Sequence, residues 1–146
     1  MILSIYLKIV PIAFLSLLIT PEKNTTPYTL IVFEGSDWCV NCIRLEKNVL
    51  QTKEFLNYAE KNNITIERVD FPQRKKLEPT VAARNAQLAE TYNFNGEFPT
   101  ILFISNNEER VVKLSNFYNS NARLFIDQLE KKIQASEWND LLDDAG

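Results

Sequence analysis

The fold and the chemistry of this chain depend on one stretch, TLIVFEGSDWCVNC, at residues 29–42. Residues 29–34 are a continuous apolar run with β-branched side chains, which is typical of a strand buried on both faces of a parallel or mixed sheet. The polar turn at residues 35–37 can cap a helix. The stretch therefore predicts a buried strand that turns sharply into a helix opened by Cys39.

Hydrophobic periodicity predicts the elements that follow. In chain order they are a helix over 39–50, a helix over 52–61, a strand over 64–70, a helix over 79–92, strands over 100–105 and 110–114, and a final helix capped by Asn119 or Ser120. The order β-α-α-β-α-β-β-α implies a parallel strand pair and a terminal antiparallel hairpin. We therefore expect an α/β fold of three α/β/α layers, with helices flanking a mixed central sheet.

Several side chains are expected to face the core. They are Cys42, Leu45 and Val49 in the first helix, Phe55 and Ala59 in the second, and Leu124, Leu129 and Ile133 in the last. Ala82, Ala86 and Ala89 line one face of the helix over 79–92.

The length of 146 residues suits one domain. We assign residues 1–20 to a signal peptide or an N-terminal membrane anchor, 21–27 to a linker, 28–135 to the folded domain and 136–146 to an acidic, frayed tail. The first segment is almost wholly apolar and is followed by a polar linker with two prolines, which favours export over a buried helix. Cleavage and anchoring both stay open, because bulky residues precede the boundary and the segment approaches the length of a membrane span.

Composition excludes several classes of function. The net charge is −3 and no dense basic patch appears, so no nucleic-acid partner is expected. The chain contains no histidine, which excludes Cys–His proteases, histidine-based zinc enzymes and histidine general bases. Any proton transfer must use a carboxylate, a lysine, a tyrosine, a thiol or water.

Cys39 and Cys42 are the only cysteines, and their spacing predicts redox chemistry. Thiolate attacks disulfides, and a helix N-terminus favours an anion, so we expect a depressed pKa for Cys39. Cys42 lies one turn further along, on the buried face. The asymmetry predicts that Cys39 attacks and Cys42 resolves, with no cofactor and no metal.

Three non-redox roles are also compatible with the cysteine pair. A purely structural disulfide closing so short a loop would contribute roughly 2 kcal/mol, against about 3 for a fifteen-residue loop. A zinc site would need two further ligands from carboxylates or another chain. Two ordinary buried cysteines would make the helix-opening position of Cys39 a coincidence. We favour redox activity over all three.

From Tyr28 to Gln134 the sequence resembles the thioredoxin family. The resemblance rests on the CxxC motif at the strand–helix junction, on Gly96-Glu97-Phe98-Pro99-Thr100 and on the order of the elements. It is similar to exported bacterial thioredoxin-like proteins and to the C-terminal domain of thiol:disulfide interchange proteins. The resemblance implies that Cys39 and Cys42 are catalytic. It also implies a cis Pro99 facing Cys39, a Phe98 backbone that binds an extended substrate, and Trp38 beside the groove.

The sequence departs from the family pattern in two places. Phe33 occupies the position of the family's buried aspartate, and Glu34 should point to the opposite face of the strand from Phe33. Glu34 and Asp37 are therefore weak substitutes as proton acceptors for Cys42. The dipeptide Val40-Asn41 leaves the redox potential undetermined.

We expect an exported thiol–disulfide oxidoreductase, periplasmic or anchored to the membrane facing the periplasm. Its expected partners are protein thiols and disulfides, with a membrane electron donor for a reductive role, and it is expected to act as a monomer. The alternative is a non-catalytic thioredoxin-like module that holds a partner protein or a soft metal such as Cu(I). The basic cluster Arg74-Lys75-Lys76 is interpreted as a solvated loop.

Overall fold

A computed structural model of the chain describes residues 28–106, 110–115, 117 and 120–143, with side chains up to residue 135. The elements are β1 (Tyr28–Glu34), α1 (Val40–Leu45), a π-helical segment (Glu46–Leu50), α2 (Lys53–Lys61), β2 (Ile64–Asp70), α3 (Pro79–Thr91), β3 (Thr100–Ser105), β4 (Arg110–Leu114) and α4 (Ala122–Asp143). These bounds agree closely with those predicted for the described residues. The predicted signal or anchor (1–20) and linker (21–27) lie outside them.

The four strands form one mixed sheet in the order β2-β1-β3-β4. β1 pairs in parallel with β2, from Tyr28 opposite Ile64 to Glu34 opposite Asp70. β3 is antiparallel to both β1 and β4. The parallel pair and the terminal antiparallel hairpin confirm the predicted topology. Because β1 is central, its carboxyl end delivers the CxxC segment to the middle of the sheet edge.

Alternating side chains of β1 enter two separate cores. Leu30 and Val32 pack with α2, α4 and the segment 45–50, in a large cluster that includes Phe55 and Phe125. Ile31 and Phe33 face the other way and pack against α3 in a smaller, partly aromatic cluster. Helices therefore cover both faces of the sheet, and the three-layer α/β/α arrangement is confirmed.

Four details differ from the sequence-based expectations, three of them in α4. Leu124 is 53% exposed, and the buried positions of α4 are Ala122, Phe125, Ile126 and Leu129. The cap of α4 is Asn121, whose side-chain oxygen accepts a hydrogen bond from the backbone N–H of Leu124 at 3.0 Å. The helix therefore starts later than predicted.

The face of α3 also differs. Ala82 and Ala86 are exposed, and the buried side chain is Asn85. Its amide donates a 2.8 Å hydrogen bond to the backbone oxygen of Asp70 at the end of β2, so a polar bond fixes the orientation of this helix. At the other end of the chain, the backbone of α4 stays helical to Asp143, into the segment expected to fray. Among the described helices, none has the length and apolarity that a membrane crossing requires.

Candidate redox site

Cys39 and Cys42 form a disulfide at the start of α1, with their Cα atoms 5.2 Å apart. Cys39 is the N-cap residue: its sulfur accepts a hydrogen bond from the backbone N–H of Cys42 at 3.2 Å. The same N–H would stabilise a thiolate at Cys39 after reduction. Cys39 is 7% exposed and Cys42 is 2% exposed. As predicted, Cys39 is the more exposed of the two cysteines, although both are buried.

Trp38 lies directly over the turn that precedes the disulfide. A Cβ atom added to Gly35 would overlap the Trp38 indole, so the turn requires glycine for the close approach of this ring. The indole Nε1 donates a 2.8 Å hydrogen bond to the backbone oxygen of Phe71. The indole is thereby held in one orientation beside Cys39.

The peptide bond between Phe98 and Pro99 is cis, as the resemblance implied. The ladder between β3 and β1 begins at Thr100, so both residues lie beyond it. The Phe98 ring meets Trp38 edge-on, with centroids 5.2 Å apart. This contact brings together the two chain segments that the sequence assigned to the site, one carrying Cys39 and the other Pro99.

The turn at residues 36–38 is tied to the loop that follows β2. The Asp37 carboxylate accepts hydrogen bonds from the backbone N–H groups of Gln73, Arg74 and Lys75, at 2.9, 2.8 and 3.1 Å. Partial desolvation would raise the pKa of Asp37, but these three bonds and the charge of Lys75 lower it. Asp37 thus has a structural role here.

A second carboxylate fastens the same turn. The Asp70 side chain accepts hydrogen bonds from the backbone N–H and the hydroxyl of Ser36, at 2.8 and 2.7 Å. Desolvation would raise the pKa of Asp70, and the bonds from Ser36 together with Lys75 lower it. Both carboxylates therefore stay ionised at neutral pH and hold the CxxC turn against the end of β2.

Behind Cys42 lies a cavity of about 470 Å³ whose lining includes four charged side chains, Glu34, Glu46, Lys47 and Arg68. Glu34 is 4% exposed and is bound by Arg68 through two hydrogen bonds of 2.9 and 2.6 Å. Arg68 also makes a short contact with Glu46. Burial would lower the pKa of Arg68, but its bonds to both glutamates raise it, so the guanidinium stays charged.

This cavity changes the interpretation of the departure at Phe33. Phe33 packs in the core beneath α3, stacked on Phe94 with centroids 4.5 Å apart. Glu34 points to the opposite face of β1 from Phe33, as predicted. On that face it lines the same cavity as Cys42. Arg68 and Glu46 were not identified from sequence. The sequence signal that could have identified Arg68 is its charge, because it lies within the strand that pairs with β1, two positions before Asp70.

Among the described residues, no group of three or more histidine, cysteine, aspartate or glutamate side chains could hold a metal ion. Glu34, which lines the cavity with Cys42, is bound by Arg68, and Asp37, two residues before Cys39, is bound by backbone N–H groups. A metal bound at the cysteine pair would have to find its remaining ligands elsewhere.

Comparisons with known proteins agree with this geometry. Disulfide bond reductase DsbH of Chlamydia pneumoniae is 32% identical over 84 residues, which cover 58% of this chain and 49% of that protein. Thioredoxin-related protein DsbJ of the same organism is 26% identical over 90 residues, covering 62% of this chain and 25% of that protein. The chain thus spans about half of the first relative and a quarter of the second.

A solved structure described as DsbH oxidoreductase superposes with a TM-score of 0.66 at 25% identity, covering 75% of this chain and 74% of that one. The family model for the thioredoxin-like domain matches residues 17–131. That match includes both cysteines, the cis-proline segment and all four strands. The chain therefore belongs to the thioredoxin-like domain family.

Proposed function

We propose that this chain is a thiol–disulfide oxidoreductase that reduces protein disulfides through Cys39 and Cys42. One observation carries the proposal: the two residues form a disulfide at a helix N-terminus, with Cys39 more exposed than Cys42. The similarity to a protein named disulfide bond reductase supports the reductive direction. The substrates and the electron donor are proposed by chemical class only.

In the proposed reaction, the Cys39 thiolate of the reduced protein attacks one sulfur of a substrate disulfide. The substrate S–S bond breaks, its second sulfur leaves as a thiolate, and a mixed disulfide forms. Cys42 then loses its proton and attacks the Cys39 sulfur. The Cys39–Cys42 disulfide forms, the substrate leaves with two added electrons and two protons, and an external dithiol donor reduces the protein again.

Trp38, Phe98 and Pro99 are proposed to form the substrate groove. Phe98 and Pro99 precede the first residue of the β3 ladder, so an extended substrate segment has open backbone beside it. Trp38 is fixed by its bond to Phe71 and meets the Phe98 ring. The groove is therefore preorganised on both sides of Cys39.

We propose that Glu34 accepts the proton that Cys42 gives up. Cys42 is buried, the chain has no histidine, and Glu34 is a buried carboxylate in the lining of the same cavity. Arg68 holds Glu34 in place by two hydrogen bonds. The proton would pass through water in the cavity and leave through its open side.

The matched variants Glu34→Gln and Glu46→Gln test this role. Glu34→Gln should slow the second exchange step by about tenfold or more and change its pH profile, because general base catalysis is lost. Glu46→Gln should change the rate less, because Glu46 is only partly buried. Equal effects of the two variants would show that the ion cluster supports the structure without accepting the proton.

We further propose that the protein works outside the cytoplasm, in the periplasm or anchored to a membrane facing it. The apolar segment at residues 1–20 and the oxidising compartment in which a disulfide reductase is needed support this location. A membrane-bound dithiol donor is the proposed source of electrons. Fractionation of cells that express the full chain would test the location, and a purely cytoplasmic protein would contradict it.

Trapping with single-cysteine variants tests the function itself. Cys42→Ser should accumulate a mixed disulfide with a protein substrate through Cys39, and Cys39→Ser should accumulate none. The wild-type chain should catalyse repeated reduction of a disulfide-bonded protein in the presence of a dithiol. If neither trapping nor turnover occurs, the protein is better described as a binding module.

A further inference from the structure

Resting on the proposed function, we propose that the cavity between the loop at residues 71–77 and α3 is a subsite for an acidic side chain close to the reactive cysteine of the substrate. This cavity has a volume of about 370 Å³ and is separate from the one behind Cys42. Its lining includes the apolar side chains of Phe71, Leu77 and Ala82. It also includes two cationic side chains, Lys75 and Lys76. Apolar walls and lysines together suit a carboxylate on a short apolar stem.

The loop has a fixed position relative to the cysteines. Asp37, two residues before Cys39, holds the backbone N–H groups of Gln73, Arg74 and Lys75. Trp38 holds the carbonyl of Phe71. Any side chain that enters the cavity is therefore at a constant distance from the disulfide.

The cavity also continues the proposed substrate groove. The Phe71 ring, which lines the cavity, meets the Phe98 ring with centroids 5.9 Å apart. Phe98 carries the backbone at which we propose an extended substrate segment binds. We therefore expect a side chain beside the reactive cysteine of that segment to enter the cavity.

Charge selects the class of side chain. Lys75 lies 3.0 Å from Asp70 and keeps 56% of its side chain exposed. Lys76 makes no ion pair with any residue in the described ranges 28–106, 110–115, 117 and 120–135.

Three carboxylates also lie near this loop, but none of them lines the cavity, whose charged lining residues are Lys75 and Lys76. Asp37 is engaged by backbone N–H groups, and Asp70 by Ser36 and Lys75. Glu78 is exposed at the start of α3 and does not line the cavity. Because Lys75 is paired with Asp70, Lys76 is the lining cation that would attract an acidic side chain of a partner.

The experiment compares three disulfide peptides that differ only beside the cysteine, where they carry Glu, Gln or Lys. For the full chain at low salt, kcat/KM for the Glu peptide should exceed that for the Lys peptide by about fivefold or more, as exposed charge pairs allow. In Lys75→Gln/Lys76→Gln the ratio of the two kcat/KM values should fall below about twofold, whatever the variant does to the rate with the Gln peptide. The matched control is Lys131→Gln/Lys132→Gln, which removes two exposed lysines of α4 near β4, at the far edge of the sheet, and should keep the ratio.

A ratio retained in the Lys75/Lys76 variant, or lost equally in the control, would overturn the subsite. Binding of a Glu peptide with serine in place of cysteine separates this inference from the proposed function. Weaker binding of that peptide to the Lys75/Lys76 variant supports the subsite even if no disulfide is reduced. Equal binding to both proteins contradicts the subsite even if reduction proceeds.

Discussion

The two faces of the sheet are stabilised in different ways. On the face covered by α2 and α4, large apolar side chains such as Phe55 and Phe125 are fully buried and pack with few polar interruptions. On the face covered by α3, the core is small and aromatic, and the helix is anchored by the amide of Asn85. The first face supplies most of the burial, whereas the second adjoins the loops that flank the cysteines.

The difference shows where this fold can vary without losing its stability. The free energy gained by apolar burial is roughly proportional to the buried area and does not depend on direction. Packing on the α2/α4 face therefore stabilises the sheet independently of the conformation of the loops. Hydrogen bonds such as those of Asp37 and Trp38 have direction and place the loops accurately. Apart from Cys42 and the cluster of Glu34, Glu46 and Arg68, which lie on the other side, function should therefore be more sensitive to changes on the α3 side.

Truncation of one phenylalanine on each face gives the largest expected effect. Phe125→Ala and Phe33→Ala each remove a fully buried ring and should each lower the free energy of unfolding by about 3–5 kcal/mol. Only Phe33→Ala should also lower turnover per folded molecule, because Phe33 supports Phe94, and Phe94 contacts Phe98. Denaturant titration and turnover at matched folded fraction would measure both effects. Equal loss of turnover in the two variants would remove the distinction between the faces.

A smaller and more local effect is expected from Asp37→Asn. The amide has one acceptor oxygen where the carboxylate uses two, so the bonds to residues 73–75 should weaken. Hydrogen exchange of these backbone amides should accelerate by about tenfold, with little change in α2 or α4. Because these bonds lower the pKa of Asp37, the wild-type loop should lose its protection only as the pH falls below the ordinary range of an aspartate. Unchanged exchange would show that the loop is held by other contacts.

The smallest expected effect concerns Tyr58, which packs against the larger core. Its hydroxyl is buried without a hydrogen-bond partner among the described residues. Burial first, and then the charges of Glu130 and Tyr28, raise the pKa of Tyr58 to about 12. Tyr58→Phe should therefore change the stability at pH 7 by less than about 1 kcal/mol.

The pH dependence of the same variant sharpens this prediction. The pKa of Tyr58 is higher in the folded protein than in the unfolded chain, where a tyrosine titrates near pH 10. Its contribution to the free energy of unfolding is therefore complete below about pH 10 and is lost as the pH approaches 12. Wild type should lose stability relative to Tyr58→Phe within that window. Parallel stability curves for the two proteins would contradict the assigned burial of the hydroxyl.

Most of the fold could be predicted because β1 is a continuous apolar run with β-branched residues, and α1 and α2 carry a helical apolar period. The parallel pair and the terminal antiparallel hairpin followed from the order of the elements and the rules of connection, whereas the full strand order is seen only in the structure. The faces of α3 and α4 were less predictable. Alanines give little directional signal, and the continuous apolar run at residues 124–126 does not show which of its side chains face the core.

The candidate site was predictable only in part. The cysteine spacing and the Phe98–Pro99 segment were visible in the sequence, and the disulfide and the cis bond are present. The ion cluster was not predictable, because Glu34, Glu46 and Arg68 come from three elements that meet only after folding. The structural use of Asp37 was hidden for the same reason, since its partners lie 36–38 residues away.

The central claim is that Cys39 and Cys42 form a reductive redox couple, and its most direct test is their equilibrium reduction potential. The full chain would be equilibrated with defined thiol–disulfide buffers, with Cys39→Ser as the control that cannot form the couple. The account predicts a potential near that of thioredoxin, about −270 mV. A potential near about −120 mV, or a pair that does not cycle between dithiol and disulfide, would contradict it.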